Sequence, residues 1–142
     1  MTASPQAILA LDVGDKRIGV AIANISVRFA SPLTTITNDE MVWQQLTEII
    51  ETNDVGAIVV GLPRGLDGQE TAQTHKAEVF MQQLRAHLGL PVHPQDEAAT
   101  SVKAEEELAA RGKPYAKGEV DALAATYILE DYLNEQGGSH GL

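Results

Sequence analysis

Three acidic residues stand where a carboxylate needs a reason. Asp12 ends the apolar run Ala7-Ile8-Leu9-Ala10-Leu11 and is followed by Val13-Gly14. An unpaired carboxylate is costly to bury, so Asp12 either accepts N–H bonds from the turn or serves as a metal ligand or catalytic group at a sheet edge. Glu97, preceded by Asp96, follows the short run Val92-His93-Pro94 and precedes a helical segment. The carboxyl ends of parallel strands are where open α/β sheets place ligands. The alternative is an acid favoured by a helix N-terminus. Asp121 opens the last helical segment, another position that favours acids. The small pair Ala124-Ala125 beside it lets that helix lie close to a sheet, so that Asp121 faces the Asp12 strand end. If the three converge, their oxygens form a ligand set for Mg²⁺ or Mn²⁺. Such carboxylates repel one another without a cation. Two ions about 4 Å apart activate water and stabilise the leaving oxygen in phosphodiester hydrolysis. Spacing alone leaves the convergence open.

Cations crowd the neighbouring segments. Lys16, Arg17 and Arg28 lie in or near the first strands, Arg64 in the loop Gly61–Gly68, and Arg111, Lys113 and Lys117 before Asp121. Seven of the ten positive charges therefore fall in segments that could rim the carboxylates. Any one of them can be a solubilising loop charge; as a set they suggest phosphate contacts. Gly14 would let a substrate or the backbone come close. The loop GLPRGLDG lacks the Walker pattern, although its amides at Gly65 and Gly68 could touch a phosphate. His75, His87, His93 and His140 have no zincin spacing, and Ser26, Ser31 and Ser101 have no nucleophile-elbow context. Trp43 and Phe80 fall on helices as core residues, and no aromatic platform for stacked bases stands out.

The elements that must position these groups follow from periodicity. Residues 7–13, 18–23 and 27–36 read as strands of an antiparallel meander, with Pro32 keeping the third near an edge or bulge. Val42, Leu46, Ile49 and Ile50 recur at helical spacing over 39–52, with Thr37 and Glu40 in capping-box relation. Residues 55–60 are a buried strand, 71–88 a helix ended by Gly89, and 90–94 a short strand. Thr100 or Ser101 can cap a helix to Ala110, and a last helix runs from Glu119 to about Glu135. The order β-β-β-α-β-α-β-α-α predicts an α/β fold, a mixed sheet whose later strands are parallel with right-handed crossovers.

At 142 residues the chain is one domain spanning 1–142, with the tail 136–142 expected to be disordered. There is no cysteine, which excludes disulfides, Cys-ligated zinc and thiol nucleophiles. No apolar stretch approaches the ~20 residues of a membrane span, so a cytoplasmic protein with no membrane partner is expected. The net charge of -10 disfavours broad nucleic-acid binding but not a small basic patch, or anionic substrate held through divalent ions.

Five stretches together resemble a known family. Leu11-Asp12-Val13-Gly14-Asp15-Lys16-Arg17-Ile18-Gly19-Val20-Ala21 looks like the opening motif of the YqgF-type pre-16S rRNA nucleases, relatives of the RuvC-class Holliday junction resolvases. Ser31-Pro32-Leu33-Thr34-Thr35-Ile36, then Val59 to Pro63 with Asp67-Gly68, match its next two stretches. Asp96-Glu97 with Thr100-Ser101 and Ala104-Glu105, and Asp121-Ala122-Leu123-Ala124-Ala125 with Ile128-Leu129, match the last two. Ala98 and Ala99 depart from the family's Arg and Leu. The resemblance implies an RNase H-like fold, a five-stranded sheet in the order 3-2-1-4-5 flanked by helices. It implies Asp12, Glu97 and Asp121 as catalytic and metal-binding residues, with Mg²⁺ or Mn²⁺ as cofactor. Gly14, Lys16, Arg17, Arg64, Lys113 and Lys117 are the expected substrate contacts. The implied activity is endonucleolytic cleavage of precursor 16S rRNA at its 5′ end, by a monomer or weak homodimer. Branched DNA is the alternative substrate, and non-catalytic RNA or transcription-associated binding the alternative role.

Overall fold

A computed structural model describes residues 5–65, 67–97 and 100–139. The cap expected from the Thr100 or Ser101 side chain, the Ala98–Ala99 departure and His140 lie outside the described residues and side chains. The strands are β1 (Ala7–Val13), β2 (Arg17–Asn24), β3 (Ala30–Thr37), β4 (Val55–Pro63) and β5 (Val92–Glu97). The helices are α1 (Val42–Asn53), α2 (Ala72–Leu88), α3 (Thr100–Ala110) and α4 (Lys117–Ser139). One five-stranded sheet has the order β3-β2-β1-β4-β5, the expected order. β1, β2 and β3 are antiparallel; β4 lies parallel to β1, and β5 parallel to β4.

The two faces of the sheet differ in side-chain size, and that difference places the helices. On one face Leu9, Leu11, Ile18, Val20, Ile58 and Val60 pack with Leu46 of α1 and Phe80 and Leu84 of α2. On the other, Ala10, Ala21, Ala23 and Val59 meet Ala125, Ile128, Leu129 and Leu133 of α4. Small residues on this second face let α4 lie close to the strands. Asp12 follows Ala10 by two positions and so points to the α4 side. α3 packs on the outside of α4 through Ala104, Leu108, Leu123, Ala124 and Tyr127. Ala125 therefore does face the sheet as expected, but Ala124 faces α3. Trp43 stacks on Phe80 at 5.3 Å and on His87 at 4.0 Å, and His93 stacks on Tyr132 at 5.9 Å.

Several boundaries differ from expectation. α1 begins at Val42 rather than Asp39, without a capping box, because Thr37 is still the last residue of β3. Asp39 instead caps locally, its Oδ1 accepting from the Met41 N–H at 2.9 Å. β3 starts at Ala30, and residues 27–29 belong to the turn before it. β4 and β5 run three residues further than periodicity suggested, so Glu97 lies inside its strand rather than after it. α4 continues through Gly137 and Gly138 to Ser139, so the first part of the expected tail is helical.

α2 has a capping box built from two threonines. The Thr71 hydroxyl accepts from the Thr74 N–H at 3.3 Å, and the Thr71 N–H donates to Thr74 Oγ1 at 2.9 Å. The buried Thr74 hydroxyl also donates to the Pro63 carbonyl, pinning the end of β4 to α2. Thr74→Val keeps the shape but leaves a buried carbonyl and the helix cap without this partner. It is expected to lower stability by roughly 1–3 kcal/mol, read as a shifted urea midpoint with unchanged slope.

Candidate active site

The site is built on a row of three residues across the middle of the sheet. Gly19 of β2 pairs directly with Asp12 of β1. On the other side, Gly61 of β4 follows Val60, the partner of Leu11. Neither glycine can carry a side chain. A Cβ on Gly19 would run into the backbone carbonyl of Asp121, and one on Gly61 would run into Glu97 Oε2 and Ile128. The start of α4 thus rests on Gly19, and the β5 carboxylate reaches over Gly61. Asp121 and Glu97 are delivered to opposite flanks of Asp12.

The juxtaposition sets the electrostatics of the site. Burial pushes the Asp12 carboxyl up from 3.8 to about 7, and the charges of Glu97 and Asp121 add to the rise. Glu97 Oε2 is itself buried. Asp121 is turned toward a cation: Arg17 Nε donates to its Oδ2 at 2.6 Å. Among the described residues, no three His, Cys, Asp or Glu side chains are gathered tightly enough to hold an ion as they stand. The donor set fits a hard divalent cation in two respects. All three groups are carboxylates, and their mutual repulsion is relieved by positive charge. Asp121 would have to leave Arg17 to complete such a set.

The other expected contacts separate into those at the site and those elsewhere. Lys117 and Arg17 line a cavity of about 320 Å³ together with Asp121. Lys16 is exposed in the turn after Asp12, and Lys113 is exposed in the α3–α4 loop. Arg64 lies between Asp96 at 3.1 Å and Glu70 at 3.7 Å, so its charge is already engaged. Arg111 pairs with Glu107 at 2.8 Å and lines a separate cavity with Thr34 and Leu123. Arg28 is a correction. Asn24 pairs with Ala7 at the end of the sheet opposite Asp12, so the turn carrying Arg28 is remote, and its guanidinium donates to the Leu133 carbonyl.

Two glycine expectations change as well. Gly14 is required by its own turn: its N–H donates to the Arg17 carbonyl at 2.9 Å, and a Cβ would stand 2.8 Å from that oxygen. In the β4–α2 loop the Gly65 N–H donates to the Gln69 carbonyl and the Gly68 N–H to the Gly65 carbonyl. Those amides hold the loop and are not presented to a phosphate. Sequence reasoning overlooked Gly19 and Gly61 as site residues: a glycine inside a strand does not say what lies over it, and Gly61 was expected to open the loop after β4 rather than lie within the strand. It also overlooked Tyr115, which lines the cavity beside Asp121.

Comparison with known proteins gives the family and the fold. A family model described as "RuvX: Holliday junction resolvase" matches residues 6–135. A protein of Chloroflexus aurantiacus named "Putative pre-16S rRNA nuclease" is 41% identical over 133 residues, covering 91% of this chain and 87% of that protein. A protein of Shewanella oneidensis with the same name is 35% identical over 135 residues, covering 92% of this chain and 96% of that one. Among solved structures, Thermus thermophilus RuvC aligns with a TM-score of 0.53 at 14% identity, covering 93% of this chain and 96% of that one. The fowlpox virus resolvase bound to Holliday junction DNA aligns with a TM-score of 0.53 at 10% identity, covering 92% and 98%. These two likenesses are of fold.

Proposed function

Because this chain belongs to the RuvX family, we propose that it is a divalent-cation-dependent endonuclease that cleaves precursor 16S rRNA during 5′-end maturation. The observation that carries the reading is the approach of Glu97 from β5 and Asp121 from α4 to Asp12 of β1, where burial first and the two neighbouring charges second push the Asp12 carboxyl up to about 7. Asp12, Glu97 and Asp121 would hold Mg²⁺ or Mn²⁺. Such a cation supplies charge neutralisation at the phosphodiester and a lowered pKa for water.

The chain's own residues prepare that chemistry. With its carboxyl pushed up to about 7, Asp12 is about half protonated at neutral pH; it would hold a cation only as the carboxylate, so cation affinity would rise with pH. Arg17 neutralises Asp121 meanwhile. Lys16 and Lys117 flank the carboxylates from the β1–β2 turn and the start of α4 and attract the phosphate backbone. The surrounding net charge of -10 repels nucleic acid elsewhere on the surface, limiting binding to this point. Among the described residues, no helix is long and apolar enough to cross a membrane. The protein is proposed to act in the cytoplasm.

The test is cleavage of a 5′-extended 16S rRNA leader fragment by the native protein and by Glu97→Gln, with Mg²⁺, Mn²⁺ or EDTA. Native cleavage with either cation, none in EDTA, and a loss of roughly 100-fold or more in the variant are expected, from several kcal/mol of lost charge stabilisation. Cleavage of a four-way DNA junction with the RNA leader untouched would select the resolvase reading instead.

A further inference from the structure

The cavity beside the carboxylates is more than a phosphate seat. It is lined by Arg17, Glu105, Tyr115, Lys117, Val120 and Asp121, with a volume of about 320 Å³. Arg17 and Asp121 belong to the site already described, so the cavity opens directly from it. Two cations would suffice to hold a backbone. The remaining residues serve a different purpose. Tyr115 is 41% exposed, so its ring is open to solvent at the cavity it lines. The other large exposed aromatic among the described residues, Phe29, lies in the β2–β3 turn at the opposite end of the sheet. The segment carrying Tyr115 is anchored on its C-terminal side. The Ala116 N–H donates to Glu119 Oε2 at 2.8 Å, and Thr35 Oγ1 donates to the Gly118 carbonyl at 2.6 Å.

Glu105 is the informative member. A carboxylate in a cavity meant only for phosphate weakens binding by like-charge repulsion. It helps only if the ligand also presents a hydrogen-bond donor. Nucleobases with an exocyclic amino group present one, and a carboxylate accepting from cytosine N4 is a recurrent pairing. Uracil has a carbonyl oxygen in place of that amino group and only N3–H as a donor on this edge, so it loses the paired contact and sets O4 against the carboxylate. A ring to stack on, an apolar wall from Val120, cations for the flanking phosphates and one carboxylate acceptor together describe a nucleotide pocket.

We propose that this cavity binds the unpaired nucleotide next to the scissile phosphate, its base stacked on Tyr115 and its exocyclic amino group donating to Glu105. The pocket thereby selects cytosine over uracil at that position. The proposal deepens the nuclease reading and rests on it for the position of the scissile phosphate, but its binding test does not depend on cleavage.

The experiment is fluorescence anisotropy of short single-stranded oligo(C) and oligo(U) RNA with the native protein, Tyr115→Ala, Tyr115→Phe and Glu105→Gln. Ca²⁺ serves as the cation, and each variant is first checked for an unchanged melting curve. Native protein is expected to prefer oligo(C). Tyr115→Ala should weaken oligo(C) binding by about 10-fold, within the roughly 5- to 150-fold span of a lost base stack. Tyr115→Phe should retain it, and Glu105→Gln should shrink the preference over oligo(U). Unaltered affinity in Tyr115→Ala, or equal native affinity for the two oligomers, overturns the proposal. If the leader fragment is still cleaved in that case, the nuclease reading stands without the pocket. If the binding pattern holds and nothing is cleaved, the pocket stands and the nuclease reading falls.

Discussion

Asp12→Asn is expected to abolish cleavage while making the cation-free protein more stable above neutral pH. The two effects have one cause. Asp12 is held on the α4 side of the sheet between Glu97 and Asp121, and burial is the largest reason its carboxyl rises from 3.8 to about 7. A carboxyl raised on folding binds protons more tightly in the folded than in the unfolded chain. Folding stability from this group is therefore highest below about pH 4 and is lost as pH rises toward 7. At 1.36 kcal/mol per tenfold, a rise of this size corresponds to roughly 4 kcal/mol as an upper bound, fully expressed only above pH 7. Asparagine has no charge to bury, so the slope attributable to this residue disappears. In EDTA at pH 8 the variant should be more stable than the native chain by on the order of 2–4 kcal/mol, with little difference at pH 4. Urea titrations at the two pH values measure it.

Divalent cation should reverse the ranking. Mg²⁺ or Mn²⁺ stabilises whichever protein binds it, by an amount set by its concentration relative to the dissociation constant. The native chain should gain in Tm, and Asp12→Asn little. Cleavage should fall by roughly 10³-fold or more, from several kcal/mol of lost transition-state stabilisation. Native-like cleavage by the variant would remove the nuclease assignment. An unchanged stability at pH 8 would remove the account of a carboxyl buried beside two like charges, even if cleavage were lost.

The acidic residues of this site were legible because each breaks a local pattern. Asp12 interrupts an aliphatic strand, Glu97 follows the short apolar run Val92-His93-Pro94, and Asp121 adjoins the alanines that begin the buried stretch 122–129. What joins them was not legible in the same way. Periodicity places a residue on a face, but it does not report the clearance between a helix and a sheet. Gly19 reads as a weak strand residue until Asp121 is found resting on it. The cations show the same limit more sharply. Arg17 begins β2 and Arg28 follows it, so the length of that strand puts the two at opposite ends of the sheet. Arg64 sits in a loop that suggests phosphate binding, yet the neighbouring acids Glu70 and Asp96 engage it. Loop charges carry no period, so their partners emerge only in three dimensions. Tyr115 escaped for a related reason. It belongs to no strand or helix, and a ring outside the periodic segments gives no sign of what it faces.

Among the described glycines, Gly19→Ala is expected to be the most damaging substitution, and Gly118→Ala close to harmless. Both glycines lie near the start of α4, so the pair separates packing from composition. The added Cβ at Gly19 would overlap the Asp121 carbonyl and stand 2.9 Å from the Ala122 nitrogen. Those are backbone atoms of a helix fixed by Ile128 and Leu129, both fully buried, and no rotamer change relieves the overlap. Either α4 shifts off the sheet or β2 bends. Overpacking of this kind costs about 1–3 kcal/mol, occasionally more, and the backbone contact puts Gly19→Ala at the upper end. For a domain of this size each kcal/mol lowers Tm by roughly 2–4 °C, so a drop of about 10 °C is expected. Cleavage should fall further than the folded fraction, because Asp121 moves with the helix. At Gly118 the new Cβ would meet Thr35 atoms at 3.5 Å, ordinary contact, and alanine is favoured over glycine within a helix by up to ~1 kcal/mol. Calorimetry should show the large drop in Gly19→Ala and little change in Gly118→Ala if α4 is seated on β2 as described. Equal melting temperatures would mean that the helix does not rest on Gly19, and the bridge between Asp121 and Asp12 would be lost with it.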